Sequence, residues 1–183
     1  MKKDEAKKKS IVREAISWIL YFILICCVAY VLVNYVGEYT EVRGESMYPA
    51  LNDGDQLIVD MISYRFTDPQ RYDVVVFPFQ YQEDTYYIKR IIGLPGETVQ
   101  IIDGLVYING EELDDPYGSE LIKNAGLASS EIVLGEQEYF VLGDNRNDST
   151  DSREPSVGNI SRDEIIGKAL LRVWPIRSFG LIR

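Results

Sequence analysis

The feature that most constrains this chain is a run of 21 residues without a charge, 16–36, in which only Ser17 and Asn34 are polar. At about 1.5 Å per residue, a helix of that length matches a hydrocarbon core about 30 Å thick. The run therefore predicts a transmembrane helix rather than a buried core helix. Trp18 and Tyr35 fall near its two ends, where amphipathic rings favour the headgroup layer. A basic start before an apolar run also describes a cleaved signal peptide, but this run is too long for one. Val36-Gly37-Glu38-Tyr39 is moreover a poor cleavage site.

Residues 1–15 carry six basic and three acidic side chains, whereas the rest of the chain carries 13 basic and 26 acidic ones. The basic flank places the amino terminus in the cytoplasm, so residues 37–183 are expected outside the cell membrane. Three parts follow: a basic cytoplasmic tail over 1–15, a span over 16–36, and one extracytoplasmic domain over 37–183, large enough to bury its own core. The acidic exterior argues against nucleic acid or anionic lipid as a partner of that domain. Cys26 and Cys27 both lie in the span, so no disulfide supports the exported part.

That part reads as antiparallel β structure. Short β-prone runs at 56–59, 73–77 and 85–92 are followed by 98–102 and 105–108, with Asp103-Gly104 and Asn109-Gly110 as hairpin turns. Further strands are expected at 138–142 and 168–174, and Ser161 with Glu164 three residues on predicts a capped helical turn. Residues 114–130, rich in Asp, Gly, Ser and Asn, read as a long, mobile connection.

The chain contains no histidine, which removes Ser-His-Asp catalysis and His-ligated metal sites together. A serine nucleophile here needs a lysine, a carboxylate or a terminal amine as its base. Ser46 lies ten residues past the span in Gly44-Glu45-Ser46-Met47-Tyr48-Pro49, within at most about 33–36 Å of the bilayer along an extended connector. Lys89 lies in Tyr86-Tyr87-Ile88-Lys89-Arg90-Ile91-Ile92, where alternation puts Thr85, Tyr87, Lys89 and Ile91 on one strand face. Large apolar neighbours would desolvate the amine and lower its pKa. On these segments alone, a solvated strand lysine and a turn serine before Pro49 remain the commoner readings.

A third segment runs from Gly143 to Arg153 with tightly alternating charges. Counted from Asp144 as an EF-hand loop, its sixth and twelfth places hold Ser149 and Pro155 instead of Gly and Glu, so a calcium loop is rejected. A turn-rich loop held by Asp-Arg pairs fits.

In this order, the anchor, residues 44–51, 87–97, 143–153 and 167–175 together resemble the bacterial type I signal peptidases, membrane-bound Ser-Lys proteases, and among them the single-span, Gram-positive-like members. The resemblance implies a mainly β, antiparallel catalytic domain resting on the membrane, and signal-peptide-bearing preproteins as substrates, cut after small residues in an Ala-X-Ala-like pattern. It makes Ser46 the nucleophile and Lys89 the general base, with Ser149 bonding and orienting the lysine amine. Asp144, Arg146, Asp151 and Arg153 become supporting groups, and Val42, Leu51, Tyr87 and Ile88 the lining of the substrate pockets. No metal or cofactor is implied, and the lipid bilayer is a second partner. One departure concerns the oxyanion hole: many double-span relatives place a serine hydroxyl donor where this chain has Gly44, which leaves the second donor to a backbone group or water.

Overall fold

The computed structural model describes residues 13–14, 16–27, 37–82, 85–118 and 120–182. Residues 16–27 are helical and exposed along their length. Among the described residues no helix is long and apolar enough to cross a membrane. The expected span continues through 28–36, which lie outside the described residues, as does most of the basic tail. Residues 1–37 and 38–183 form separate compact units.

The larger unit is β structure throughout. Its strands are β1 (Gly37–Glu41), β2 (Gln56–Asp60), β3 (Val74–Pro78), β4 (Tyr86–Gly93), β5 (Thr98–Ile102), β6 (Leu105–Ile108), β7 (Glu111–Glu112), β8 (Ile132–Val133), β9 (Glu138–Leu142), β10 (Ile160–Ser161), β11 (Gly167–Trp174) and β12 (Gly180–Leu181). One sheet has the order β1-β2-β11-β3-β4-β9-β10, with β12 added on β11, and a second has the order β7-β6-β5-β8. The chain is thus not one continuous meander. β11 returns from the carboxyl end to separate β2 from β3, and β4 and β5 belong to different sheets although only four residues part them.

Local chemistry accounts for most elements. Asp103-Gly104 and Asn109-Gly110 take positive φ at both positions, the backbone twist that closes a two-residue hairpin. The Ser161–Glu164 capping box is formed over a short 3-10 turn, Arg162–Glu164. β3 reads Val-Val-Val-Phe because it lies inside the sheet between β11 and β4 and is buried on both faces.

Three apolar clusters organise the unit. One lies between the sheets and joins Ile92, Phe140 and Leu142 to Val99, Ile101, Val106 and Ile108. A second gathers Val75, Phe77, Ile91, Tyr139 and Val141, with Tyr87 against it. The third holds Val42, Met47, Leu51, Leu57, Val74 and Ala169, with Ile88 against it. Tyr87 and Ile88 therefore pack on opposite sides, as period-two alternation requires.

The connection over 114–130 is pinned rather than free. Ile122 and Ala128 are buried in the first cluster, Leu127 N–H donates to Arg153 O at 2.8 Å, and Tyr72 Oη donates to Asp114 O at 2.7 Å. Several of its groups bond the 143–153 loop: Lys123 N–H donates to Asn147 Oδ1, Asn147 Nδ2 to Glu120, and Arg153 to Asn124 O.

Candidate active site

Ser46 lies on a loop that leaves β1 and returns to β2. The base of the loop is closed by Val42 N–H to Asp55 O at 2.8 Å and Gly54 N–H to Val42 O at 2.9 Å. Its tip is a tight turn, Tyr48 N–H to Glu45 O at 3.0 Å and Leu51 N–H to Met47 O at 2.8 Å. Met47 and Leu51, 1% and 0% exposed, nail that turn into the third cluster. Burial of Met47, the next side chain along, fixes the backbone from which the Ser46 hydroxyl projects. Arg172, reaching across from β11, donates to Ala50 O at 3.1 Å and pairs with the Asp55 carboxylate at 2.8 Å.

Lys89 sits in mid-strand on β4, opposite Val75 of β3. It is 4% exposed, and its Nζ lies 2.8 Å from Ser46 Oγ and 3.0 Å from Ile88 O. The Tyr87 ring centroid is 4.9 Å from Nζ, and that ring is stacked on Phe79 at 4.6 Å. Burial pushes the Lys89 amine down from the ordinary 10.5 to about 8, against the upward pull of Asp151 and Asp144. Desolvation prevails for a structural reason: each of those carboxylates is already bidentate on its own arginine.

Asp144 accepts from Arg90 Nε at 2.7 Å and from a terminal guanidinium nitrogen of Arg90 at 2.6 Å, and both residues are buried. Asp151 accepts from Arg153 at 2.8 Å through each oxygen, and its Oδ2 also accepts from Gly143 N–H at 3.0 Å. Arg146 donates from Nε to Gly143 O at 3.0 Å and lies at ion-pair distance from Asp115, without hydrogen-bond geometry to that carboxylate. All four charged residues expected to support the site thus hold one loop in shape. The loop in turn holds Ser46: Asn145 N–H donates to Ser46 O and Asn145 Nδ2 to Glu45 O, both at 3.1 Å. A Cβ on Gly143 would overlap the Ser46 carbonyl oxygen and the Ser149 hydroxyl, so only glycine allows this approach.

Two expectations need correction. Ser149 Oγ was expected to bond the Lys89 amine; it is buried with no hydrogen-bond partner, facing Gly143. Leu51, expected in a substrate pocket, is wholly buried in the third cluster. Its apolar character serves the turn, not the surface.

The groove beside Ser46 has a volume of about 570 Å³ and is walled by residues 39–43 on one side and 85–88 on the other, with Ser46, Met47, Lys89 and Ser149 also lining it. Val42, Tyr87 and Ile88 line it as expected, and Met47 takes the place given to Leu51. Arg90, Asn145 and Tyr117, the last 3.6 Å from the Arg90 guanidinium, were not singled out in the sequence. Alternation did put Arg90 on the opposite face from Lys89, and an arginine sharing that face with Ile88 and Ile92 was the available signal.

The Lys89 amine, placed at the Ser46 hydroxyl and lowered by burial toward the neutral range, can in its uncharged form take the proton of an attacking alcohol. Residues 15–174 match the family model described as signal peptidase, peptidase S26. The chain is 38% identical over 154 residues to a probable signal peptidase I-2 of Synechocystis sp., covering 81% of this chain and 68% of that one. It is 35% identical over 188 residues to signal peptidase IB of Staphylococcus aureus, covering 91% and 93%. A crystal structure of a signal peptidase I from Enterococcus faecalis is 34% identical and superposes with a TM-score of 0.46, covering 56% of this chain and 97% of that one. With most of its length matched by the family model and by relatives above 30% identity, this chain belongs to the S26 family of signal peptidases.

Proposed function

We propose that the chain removes signal peptides from exported preproteins as a membrane-anchored serine endopeptidase, with Ser46 as nucleophile and Lys89 as general base. The observation that carries this reading is the 2.8 Å approach of Lys89 Nζ to Ser46 Oγ in a groove where burial holds the amine near 8. At pH 7 on the order of a tenth of such a base is neutral, and at pH 8 about half. Neutral Nζ accepts the Ser46 proton as Oγ attacks the scissile carbonyl, and the resulting ammonium donates that proton to the departing amine. The same amine then activates water against the acyl-enzyme. Ser46 Oγ is esterified at that stage, and the unpartnered Ser149 hydroxyl is available to orient Lys89 in its place.

The developing oxyanion is assigned to the Ser46 N–H, which has no acceptor among the described residues. An extended substrate is assigned to the space between two strand edges that are unpaired among the described residues. β1 ends its sheet, and β4 pairs with β9 only from Arg90 onward. Side chains at the first and third positions before the cut would then enter the shallow walls made by Val42, Tyr87, Ile88 and Met47, which admits small residues. Residues 16–36 supply the anchor, with the amino terminus in the cytoplasm and the catalytic unit outside.

The test is to incubate the full chain in detergent with a preprotein and sequence the new amino terminus. A cut after an Ala-X-Ala pattern, lost in both Ser46→Ala and Lys89→Arg, supports the reading. Near-normal cleavage by either variant refutes the dyad, because arginine keeps the charge but cannot give up its proton.

A further inference from the structure

Lys89 has two kinds of neighbour, groups that bear charge and groups that keep water away. The carboxylates of Asp144 and Asp151 act on it from the 143–153 loop, each engaged by its own arginine. Glu41, Arg43, Glu45 and Asp148 line the same groove, while β3 presents the apolar Val75. From β4 itself the cover is the Tyr87 ring, whose centroid lies 4.9 Å from Nζ.

Strand register fixes what stands behind that ring. β3 and β4 pair Val75 with Lys89 and Phe77 with Tyr87, and Phe79 N–H continues the ladder to Thr85 O at 2.8 Å. One face of the pair therefore runs Lys89, Tyr87, Thr85 on one strand against Val75, Phe77, Phe79 on the other. Lys89 and Phe79 accordingly flank Tyr87 from opposite ends of the strand direction. The Phe79 ring stacks on Tyr87 at 4.6 Å and 9°, whereas Phe77 meets it edge-on at 6.1 Å and 75°. Stacking from the end remote from Lys89 opposes the rotamer change that would carry Tyr87 off the amine. Phe79 is half-buried, is not among the described residues that line the groove, and has its other ring contact with the exposed Tyr81 at 5.6 Å.

We propose that Phe79 is a positioning residue for catalysis: by stacking on Tyr87 it holds that ring over Lys89 Nζ and so keeps water from the base. This rests on Lys89 being the general base. Phe79 acts through Tyr87, and the ring it holds has two opposed effects. A ring face near an ammonium favours the charged form, while exclusion of water disfavours it. The second prevails, since burial carries the amine down from 10.5 to about 8. Loosening the ring therefore raises the pH at which the base becomes neutral.

The experiment follows preprotein cleavage by the full chain in detergent and reads the pH midpoint of kcat/KM, which reports the free enzyme. Wild type, Phe79→Ala, Phe79→Leu, Phe79→Tyr, Tyr81→Ala, Tyr87→Ala and the Phe79→Ala/Tyr87→Ala pair are compared, with thermal midpoints for each. Phe79→Ala should raise the pH midpoint by about one unit and cut kcat/KM at pH 7 by roughly tenfold. Phe79→Leu, which keeps apolar bulk without a flat face, should move it in the same direction and carries the test if the alanine variant fails to fold. Phe79→Tyr keeps the ring and should keep the wild-type midpoint, as should Tyr81→Ala, whose ring contact is with Phe79. Added to Tyr87→Ala, Phe79→Ala should shift the midpoint no further, because its route to Lys89 is gone. An unmoved midpoint in Phe79→Ala, or in Phe79→Leu where it stands in, overturns the proposal. So does a full shift in Phe79→Tyr or Tyr81→Ala, or additive shifts in the double variant. Cleavage retained by Lys89→Arg would instead remove the underlying assignment of the base, so the two failures are distinct.

Discussion

Replacing Lys89 by methionine should stabilise the folded protein, and by an amount that depends on pH in a way the structure dictates. Burial lowers the amine from 10.5 to about 8, a difference of about 2.5 units, or roughly 3 kcal/mol at about 1.36 kcal/mol per unit. At pH 6 Lys89 is an ammonium in both folded and unfolded chains, and the folded state carries the whole cost of burying that charge. Between about pH 8 and 10.5 the unfolded chain binds more protons than the folded one, so wild-type stability rises with pH relative to the variant. Above 10.5 both states are neutral and the cost is gone. Lys89→Met should therefore exceed the wild type by roughly 3 kcal/mol more at pH 6 than at pH 10.5, on top of any constant packing difference. Urea unfolding of both full-length proteins in the same detergent, followed by circular dichroism from pH 6 to 10.5, measures the gap directly. Every other titrating group is common to the pair and cancels. A gap that stays constant across this range would refute the argument that Lys89 is a desolvated base.

Three further outcomes are expected. The kcat/KM of the wild type should climb about tenfold between pH 6 and 7 and level off above a midpoint of about 8; a midpoint near that of free lysine would contradict the burial. Arg90→Met leaves the buried Asp144 carboxylate unpaired and should cost about 3–5 kcal/mol in denaturant unfolding, with Arg90→Met combined with Asp144→Leu recovering much of it. Ser149→Ala removes a hydroxyl that has no partner in the resting site, so stability should move by less than about 0.5 kcal/mol. Its kcat should nevertheless fall about tenfold with acyl-enzyme accumulating in rapid quench, if Ser149 serves Lys89 after acylation.

Most of the sheet was legible in the chain because its signals are local. Residues 98–102, 105–108 and 138–142 begin and end where alternation and the Asp-Gly and Asn-Gly turns put them. β7, β8, β10 and β12 were not foreseen, being two-residue pairings too short to carry a pattern. Nor was β1, whose strand character comes from pairing with β2 rather than from its Gly-Glu-Tyr-Thr-Glu composition. Order along the sheet is a non-local property, and nothing in residues 167–174 announces that they divide β2 from β3. The dyad followed from the absence of histidine and a family resemblance, but its support did not. Arg90 and Asp144 are 54 residues apart, and Asn145 is 100 residues from the Glu45 carbonyl it holds.

The placement of the second sheet has a consequence for how this scaffold can change in length. β4 and β9 are antiparallel neighbours, Gly93 opposite Phe140, so residues 94–137 leave and re-enter the first sheet at adjacent points. A chain excursion that starts and finishes at one spot can lengthen at an open far turn, such as Asn109-Gly110, where nothing lies within 4 Å of a Cβ built on the glycine, without displacing Lys89 on β4. Outright excision is a different matter, because Ile92, Phe140 and Leu142 would lose their cover and Arg90 its Tyr117 cap. The excursion is therefore extensible but not dispensable, and engineered fusions belong at the open Asn109-Gly110 tip rather than along 114–130 or at Asp103-Gly104, which Leu121 and Ile122 cover.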